Sequence, residues 1–301
     1  MTRRRSASRL GCAAVSALVL LAGTVGAAVW FLGGAHDSPA TRQCTATADG
    51  TAWALSADQA DNAALIAVTA VHRGLPARAA TIALATALQE SRLINIDYGD
   101  RDSVGLFQQR PSQGWGTVEQ IMDPVYSTGK FFDGLVKVAG YAEMPVTEAA
   151  QAVQRSGFPD AYAQHEPKSR AWASALTGWS HAAIHCDLDP AEQAGTVDAV
   201  TARVQRDFAG SVTAAVDAGA AAGPDDGAVV LLDTAALSAA SGGDAVRSGW
   251  AVAQWAVAVT EDVHVVSVAV GDSRWDRADD GWQAVGDAPP PLGTVALTLA
   301  P

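Results

Sequence analysis

An uncharged apolar run near the N-terminus most constrains how this chain can fold. No charged residue occurs between Leu10 and Gly34. Four arginines precede the run: Arg3, Arg4, Arg5 and Arg9. A helix of roughly 20 apolar residues crosses a bilayer, and basic residues before such a helix remain in the cytoplasm. Residues 1–34 are therefore predicted to form a cytoplasmic basic tail and a transmembrane signal-anchor. The rest of the chain would lie outside the cell membrane as part of a single-pass protein.

A cleaved signal peptide is the alternative interpretation of this segment. Small residues at Gly26-Ala27-Ala28 would fit a cleavage site, and the protein would then be secreted. The uncharged stretch continues through Leu32, however, which makes it longer than the apolar core of a typical signal peptide. We therefore prefer the membrane anchor.

The charge balance excludes one class of partner. The net charge is −12, and the first 34 residues contain four of the 20 basic residues and none of the 32 acidic ones. The part of the chain after Gly34 therefore carries a charge of −16. Such a surface repels phosphate backbones, so we expect no nucleic-acid partner. A neutral or peptide-bearing polymer is compatible with it.

Two cysteines, Cys44 and Cys186, lie beyond the apolar run. In an oxidising compartment an isolated pair predicts one disulfide, worth roughly 4 to 5 kcal/mol when it closes a long loop. Two unpaired thiols are the alternative. The pair brackets residues 44–186, which we predict to be the first domain outside the membrane.

Two successive helices are predicted within that domain. Ser56 and Gln59 form a capping-box signature, and residues 60–73 then predict an apolar helix that ends at Gly74. A second helix begins after Pro76. Its apolar and small residues recur at the spacing of a buried stripe: Ala80, Ala83, Leu84, Ala87, Leu88 and Ser91. Glu90 falls at the edge of this stripe and not on the solvated face.

The pattern changes after residue 186. Residues 187–226 are predicted to contain a helix and an Ala- and Gly-rich linker. Residues 227–301 alternate strand-like and helix-like patterns, which predicts a small α/β module. Four tryptophans in this module are more typical of a core than of a ligand surface: Trp250, Trp255, Trp275 and Trp282.

Glu90 is the candidate for chemistry. It precedes a polar segment that contains Gly105-Leu106-Phe107-Gln108. A single carboxyl group near apolar side chains, covered by a polar turn, is the minimal apparatus for protonating a glycosidic oxygen. Apolar surroundings favour the protonated form of a carboxyl group, which this reaction needs near neutral pH. The segment therefore predicts a sugar-cleaving site.

A longer set of spaced motifs supports this interpretation: Glu90-Ser91, Gly105-Leu106-Phe107-Gln108, Pro111-Ser112 and Asp123-Pro124. The set resembles the lytic transglycosylases and goose-type lysozymes of the lysozyme-like superfamily, whose motif is Glu-Ser, a fixed gap, Gly-Leu-Met-Gln, and Pro three residues later. The resemblance covers about a third of the chain, from Leu75 to Leu176. It implies a mainly α lysozyme-like (α+β) domain, preceded by the transmembrane helix and followed by the small α/β module.

The resemblance also implies roles for individual residues. Glu90 would be the catalytic acid and base, and Ser91 would help to hold it. Gly105 would let the backbone approach the sugar. Three polar residues are expected to line the same turn and contact substrate: Ser103, Gln108 and Gln109. The substrate would be the MurNAc-GlcNAc β-1,4 bond of peptidoglycan glycan strands, and no cofactor or metal is expected.

Three further residues are predicted to contact substrate. Trp115 lies between glycines, where it could stack on a sugar ring or pack in the core. Many transglycosylases have an Ala-Tyr-Asn-Ala-Gly segment, which is absent here. Gln154 could supply the missing amide, and Tyr162 the missing phenol.

The identity of the attacking group depends on a second carboxylate. Hydrolysis needs one at a defined distance from the acid. Asp97, Asp100 and Asp102 are candidates, but loop carboxylates of this kind commonly cap turns. With one assigned carboxylate, attack by the muramyl 6-hydroxyl is our first choice, with Glu90 as acid and then as base.

Two other functions remain open at this point. The chain could be a non-catalytic peptidoglycan-binding or scaffold protein with a lysozyme-like shape, and the C-terminal module could bind wall polymer or a cell-wall or membrane protein. A lower-ranked alternative is metal binding by His181, His185 and Cys186, since histidines at i and i+4 on a helix can share a metal.

Overall fold

The computed structural model describes residues 42–158, 160–218, 227–279, 281–286 and 289–301. Within them are ten α-helices and two antiparallel sheets, of three and six strands. Residues 1–34, the predicted anchor, lie outside the described part. None of the helices that the structure describes is both long and apolar enough to span a membrane.

The three-stranded sheet brings the two ends of the first segment together. Its strands are β1 (Gln43–Ala48), β2 (Thr51–Ser56) and β3 (Ile184–Asp187), in the order β2-β1-β3. Asp49 and Gly50 both have positive φ and form the tight turn of the β1–β2 hairpin. Cys44 and Cys186 are directly opposite each other on β1 and β3, and they form the predicted disulfide, which is confirmed.

Six helices follow the hairpin and precede β3. They are α1 (Ala57–His72), α2 (Ala77–Ser91), α3 (Val118–Ile121), α4 (Pro124–Leu135), α5 (Val146–Gln154) and α6 (Glu166–Leu176). Ser56 caps α1 in the predicted capping box, which is confirmed. Helix α2 packs against α1, α5 and α6. Its buried alanines let these neighbours approach closely.

The remaining elements build the six-stranded sheet and cover it. The helices are α7 (Val197–Phe208), α8 (Ala235–Ala240), α9 (Ala245–Ala258) and α10 (Thr260–Val263). The strands are β4 (Thr213–Val216), β5 (Val229–Asp233), β6 (Val265–Val270), β7 (Ser273–Asp276), β8 (Trp282–Ala284) and β9 (Thr294–Leu299). Their order is β4-β5-β9-β6-β7-β8, and every pairing is antiparallel.

The predicted fold class is therefore wrong. A mainly α lysozyme-like domain followed by a separate α/β module does not fit the described residues, which form two antiparallel sheets and are about 44% helical. The physical reason lies in α9, in which every residue from Ser248 to the last residue, Ala258, is buried. It packs against β6 and β9 on one side and against α1 and α6 on the other. Residues 227–301 thus share one hydrophobic core with the first segment.

A buried ion cluster lies beside that core. Arg203 on α7 has a side chain only 4% exposed and donates hydrogen bonds to Asp61, Asp207 and Asp262 at 2.7 to 2.8 Å. Asp207 is fully buried and also accepts a hydrogen bond from Trp255 at 2.8 Å. Burial alone would lower the pKa of Arg203, but the hydrogen bonds and charges of Asp61 and Asp207 outweigh it and raise that pKa.

Replacing Arg203 by methionine should lower the free energy of unfolding by about 3–5 kcal/mol, because the buried Asp207 carboxylate would lose its main cation. Urea denaturation followed by circular dichroism measures the change. Arg206→Met is the matched control, since Arg206 contacts the same carboxylate from a position 43% exposed. It should cost less than about 1 kcal/mol. Equal losses in the two variants would contradict the assignment.

Candidate active site

Glu90 lies in the last turn of α2 and is half-buried. The hydroxyl of Tyr162 donates a hydrogen bond to Glu90 Oε1 at 2.7 Å. Tyr162 is fully buried, and burial, with a further contribution from the negative charge of Glu90, raises the pKa of its phenol. The phenol therefore keeps its proton and remains a donor. Among the described residues no Lys, Arg or His forms an ion pair with Glu90.

The predicted turn at residues 105–108 is tied to the end of α2. Ser91 Oγ donates to the carbonyl of Leu106 at 2.7 Å, which joins the turn to the last residue of α2. Gln154, the last residue of α5, donates its amide to the carbonyl of Phe107 at 2.8 Å. Gln154 was predicted to contact substrate, but its amide holds the turn in position.

Gly105 is required here for close packing. Its φ is +81°, and a Cβ at this position would lie 2.9 Å from the carbonyl oxygen of Ile121 on α3. Its N–H donates to the carbonyl of Ile96 at 2.7 Å. The structure thus explains the glycine by its contact with α3, since Gly105 itself is buried.

The two adjacent glutamines face different surroundings. Gln108 is half-buried, and its amide donates to the carbonyls of Tyr98 and Gly105 at 3.2 and 3.3 Å. Gln109 is buried, and its amide donates to the carbonyl of Ser127 at 3.0 Å. Ser103 is buried as well and donates to the carbonyl of Asp100. Gln108 is therefore the one of these three that remains at the surface.

Trp115 packs against the hydrophobic core and is half-buried. The hydroxyl of Tyr126 donates to its backbone carbonyl at 3.1 Å. This arrangement matches the core-packing interpretation of Trp115 more closely than the sugar-stacking one.

The acidic residues of the loop also have separate roles. Asp102 accepts hydrogen bonds from the Arg110 guanidinium and the Ser112 N–H, both at 2.8 Å. These bonds, that from Arg110 first, hold the pKa of Asp102 below its usual range. Both of its oxygens are engaged in closing the turn, while Asp97 and Asp100 are exposed. Glu90 thus remains the carboxylate with the distinctive surroundings.

The sequence analysis did not identify a row of three hydrogen-bonded polar side chains next to Glu90, which we call the polar row: Gln89, Gln164 and His165. Gln89 Oε1 lies 3.0 Å from His165 Nε2 and accepts a hydrogen bond from Gln164 at 3.1 Å. Burial, followed by the nearby charge of Lys168, lowers the pKa of His165. The spacing between Tyr162 and His165, one turn apart, is the sequence signal that could have indicated this row.

Two exposed aromatic residues near the site were also missed. Tyr98 is 70% exposed on the loop tied to Gln108, and Phe158 is 79% exposed on the loop that leads to Tyr162. Exposed rings of this size offer flat apolar faces. In the sequence, each of the two is an aromatic residue within a segment of Asp, Gly, Ser and Pro, and this pattern could have indicated an exposed ring.

The metal alternative loses its geometric basis. His185 lies on β3, not on a helix, and its Nδ1 accepts hydrogen bonds from Trp275 and Gly281 at 3.3 and 3.1 Å. His181 stacks on Trp250 with the ring centres 4.8 Å apart, and Cys186 is in the disulfide. In the described part of the chain no three His, Cys, Asp or Glu residues are grouped to hold a metal.

The comparisons with known proteins add no assignment. No protein-family model matches the chain, and a search of curated proteins finds no significant match. Function must therefore be inferred from the geometry around Glu90.

Proposed function

We propose that this protein is a peptidoglycan lytic transglycosylase that cleaves the MurNAc-GlcNAc β-1,4 bond, with Glu90 as general acid and base. The observation that carries the proposal is the 2.7 Å hydrogen bond from the buried Tyr162 hydroxyl to the half-buried Glu90 carboxyl group. The carboxyl group is thus held by a neutral donor, and the described part of the chain places no cation in an ion pair with it. The proposal concerns this site and does not require a lysozyme-like fold.

The chemistry needs one carboxyl group that acts twice. Glu90 donates a proton to the glycosidic oxygen as the bond to the muramyl anomeric carbon breaks. The muramyl 6-hydroxyl then attacks that carbon, and the Glu90 carboxylate takes the hydroxyl proton, which leaves a 1,6-anhydro end. Because the nucleophile belongs to the substrate, no second carboxylate has to position a water.

Tyr162 and the turn at residues 105–108 have supporting roles in this scheme. The Tyr162 hydrogen bond fixes Oε1, so that Oε2 is the oxygen left to exchange a proton with substrate. The bond from Ser91 holds the turn against the end of α2, one residue from Glu90, and the bond from Gln154 joins the turn to α5. Tyr98 and Phe158 supply exposed rings on which sugar units of the strand can stack.

Mass spectrometry of products from purified peptidoglycan tests the proposed function. Transglycosylation yields anhydro-muramyl ends, which are one water lighter than the reducing ends made by hydrolysis. We expect anhydro products. Reducing ends would replace the transglycosylase with a hydrolase, and a complete absence of products, with binding to the wall retained, would favour a non-catalytic wall-binding protein.

Replacing Tyr162 by phenylalanine should lower kcat about tenfold, because a hydrogen bond to the reacting carboxyl group is worth about 1.4 kcal/mol. The KM should not change, since the phenol does not contact substrate in this scheme. Steady-state release of soluble muropeptides measures both constants. Tyr126→Phe is the control, because it removes a phenol hydroxyl that donates to the Trp115 carbonyl. Equal effects on kcat in both variants would argue against a role for Tyr162 in positioning Glu90.

A further inference from the structure

A second candidate binding surface lies where the N-terminal halves of α2 and α6 approach the start of α9. One cavity of about 680 Å³ is lined in part by Trp53, Arg78, Arg170 and Trp179. A neighbouring cavity of about 500 Å³ shares Arg78 and Trp179 and adds Arg247. We call these five residues the arginine–tryptophan surface.

Trp179 is a fixed but exposed ring. It is 62% exposed, whereas Trp172, Trp255 and Trp275 are buried. The preceding Gly178 has φ +77°, and a Cβ there would collide with the backbone carbonyl of Arg247, so only glycine lets the chain pass this close to α9. The guanidinium of Arg247 lies 4.9 Å from the centre of the Trp179 ring. The ring is therefore held in place while most of its surface remains available.

The surface is positively charged in an acidic protein. It contains three arginines, and Asp49 is the acidic residue that lines the larger cavity, whereas the chain as a whole carries −12. Arg78 is partly neutralised by Glu166 at 2.8 Å. Arg170 is exposed, and the described part of the chain offers it no ion-pair partner within 4 Å. An anionic ligand would be repelled by most of the protein and attracted here.

We propose that the arginine–tryptophan surface binds a carboxylate-bearing glycan. A sugar ring packs on the flat face of Trp179, and a carboxylate pairs with the planar guanidinium of Arg170, which is suited to two parallel hydrogen bonds. If the proposed function holds, the glycan is the peptide-bearing strand of peptidoglycan. Arg78 and Glu90 belong to the same helix, and the rise between them is about 18 Å, which a strand in contact with both sites would have to span.

Isothermal titration calorimetry with three soluble polymers tests the ligand class on the full chain in detergent. Polygalacturonate carries carboxylates on sugar rings, chitohexaose has rings without charge, and poly(glycerol phosphate) has charge without rings in its backbone. We expect polygalacturonate to bind about tenfold more tightly than either of the others, and more weakly as salt is raised. Equal binding of poly(glycerol phosphate) would show attraction by charge alone and contradict the proposal.

Variants locate the binding on the surface. Arg170→Gln and Trp179→Ala should each weaken polygalacturonate binding about tenfold. The first removes a charge-assisted hydrogen bond and the second a stacking contact, and each such contact is expected to contribute about this much. Lys137→Gln removes one positive charge from an exposed residue elsewhere and should change affinity by less than about twofold. Unchanged affinity in the Arg170 and Trp179 variants would overturn the proposal. Because no bond is cleaved in this measurement, its result does not depend on whether Glu90 is catalytic.

Discussion

Replacing Glu90 by glutamine should lower the rate of product release from purified peptidoglycan by about 10²–10⁴-fold, the usual contribution of general acid–base catalysis. The amide has nearly the same shape, and its oxygen can still accept the hydrogen bond from Tyr162. It cannot give a proton to the glycosidic oxygen or take one from the attacking hydroxyl. The change therefore removes the chemistry while it preserves the packing at the end of α2.

The control is Glu148→Gln, which makes the same chemical change at an exposed position in the first turn of α5. Its rate should match that of the unmodified protein. Co-sedimentation with insoluble peptidoglycan should be the same for both variants, since neither loses a binding contact. Equal rates for Glu90→Gln and the unmodified protein would reject the enzyme and leave wall binding without cleavage as the function.

The parts of the fold that sequence predicted correctly depend on short-range signals. The capping box at Ser56 and Gln59 and the proline before α2 act within one helical turn, so they fix where α1 and α2 begin. The hairpin turn at Asp49-Gly50 is equally local, but the flanking residues 43–48 and 51–56 contain few of the large apolar side chains that indicate strands. The spacing of His181 and His185 suggested a helix, but pairing of β3 with β1 overrides that local pattern.

The layout of the sheets could not be predicted in this way. Strand β9 pairs with both β5 and β6, and nothing in the strands themselves specifies those neighbours or their direction. The same limit applies to α9. Its apolar residues indicate burial, but they do not indicate that one side packs on the sheet and the other on α1 and α6. Long-range packing therefore decided the fold class against the local evidence.

The candidate site shows the same division. The position of Glu90 at the end of α2 follows from helix periodicity, and the sequence placed it correctly. The contact between Tyr162 and Glu90 joins residues 72 positions apart, so only the resemblance to a family suggested the phenol. Gln108 and Gln109 looked equivalent in the sequence. The isolated bridge between Val104 and Gln109 turns one glutamine inward and leaves the other at the surface.

Removal of the disulfide by the double substitution Cys44→Ala and Cys186→Ala should lower the free energy of unfolding by about 5 kcal/mol, the largest stability effect expected for this chain. The bond joins residues 142 positions apart, and cross-linking so long a segment removes much conformational freedom from the unfolded chain. Native packing should change little, because the two cysteines are already opposite each other on paired strands and both are buried.

Urea denaturation with and without a thiol reductant measures this contribution as a cycle. Reductant should destabilise the unmodified protein by about the same 5 kcal/mol and should leave the double variant unchanged, since it has no bond to reduce. Thr45→Ala is the control for a small packing change, because Thr45 follows Cys44 on β1. Two outcomes would contradict this explanation: a loss below about 1 kcal/mol in the double variant, or an equal effect of reductant on both proteins. Either would show that the disulfide does not stabilise the protein by restricting the unfolded chain.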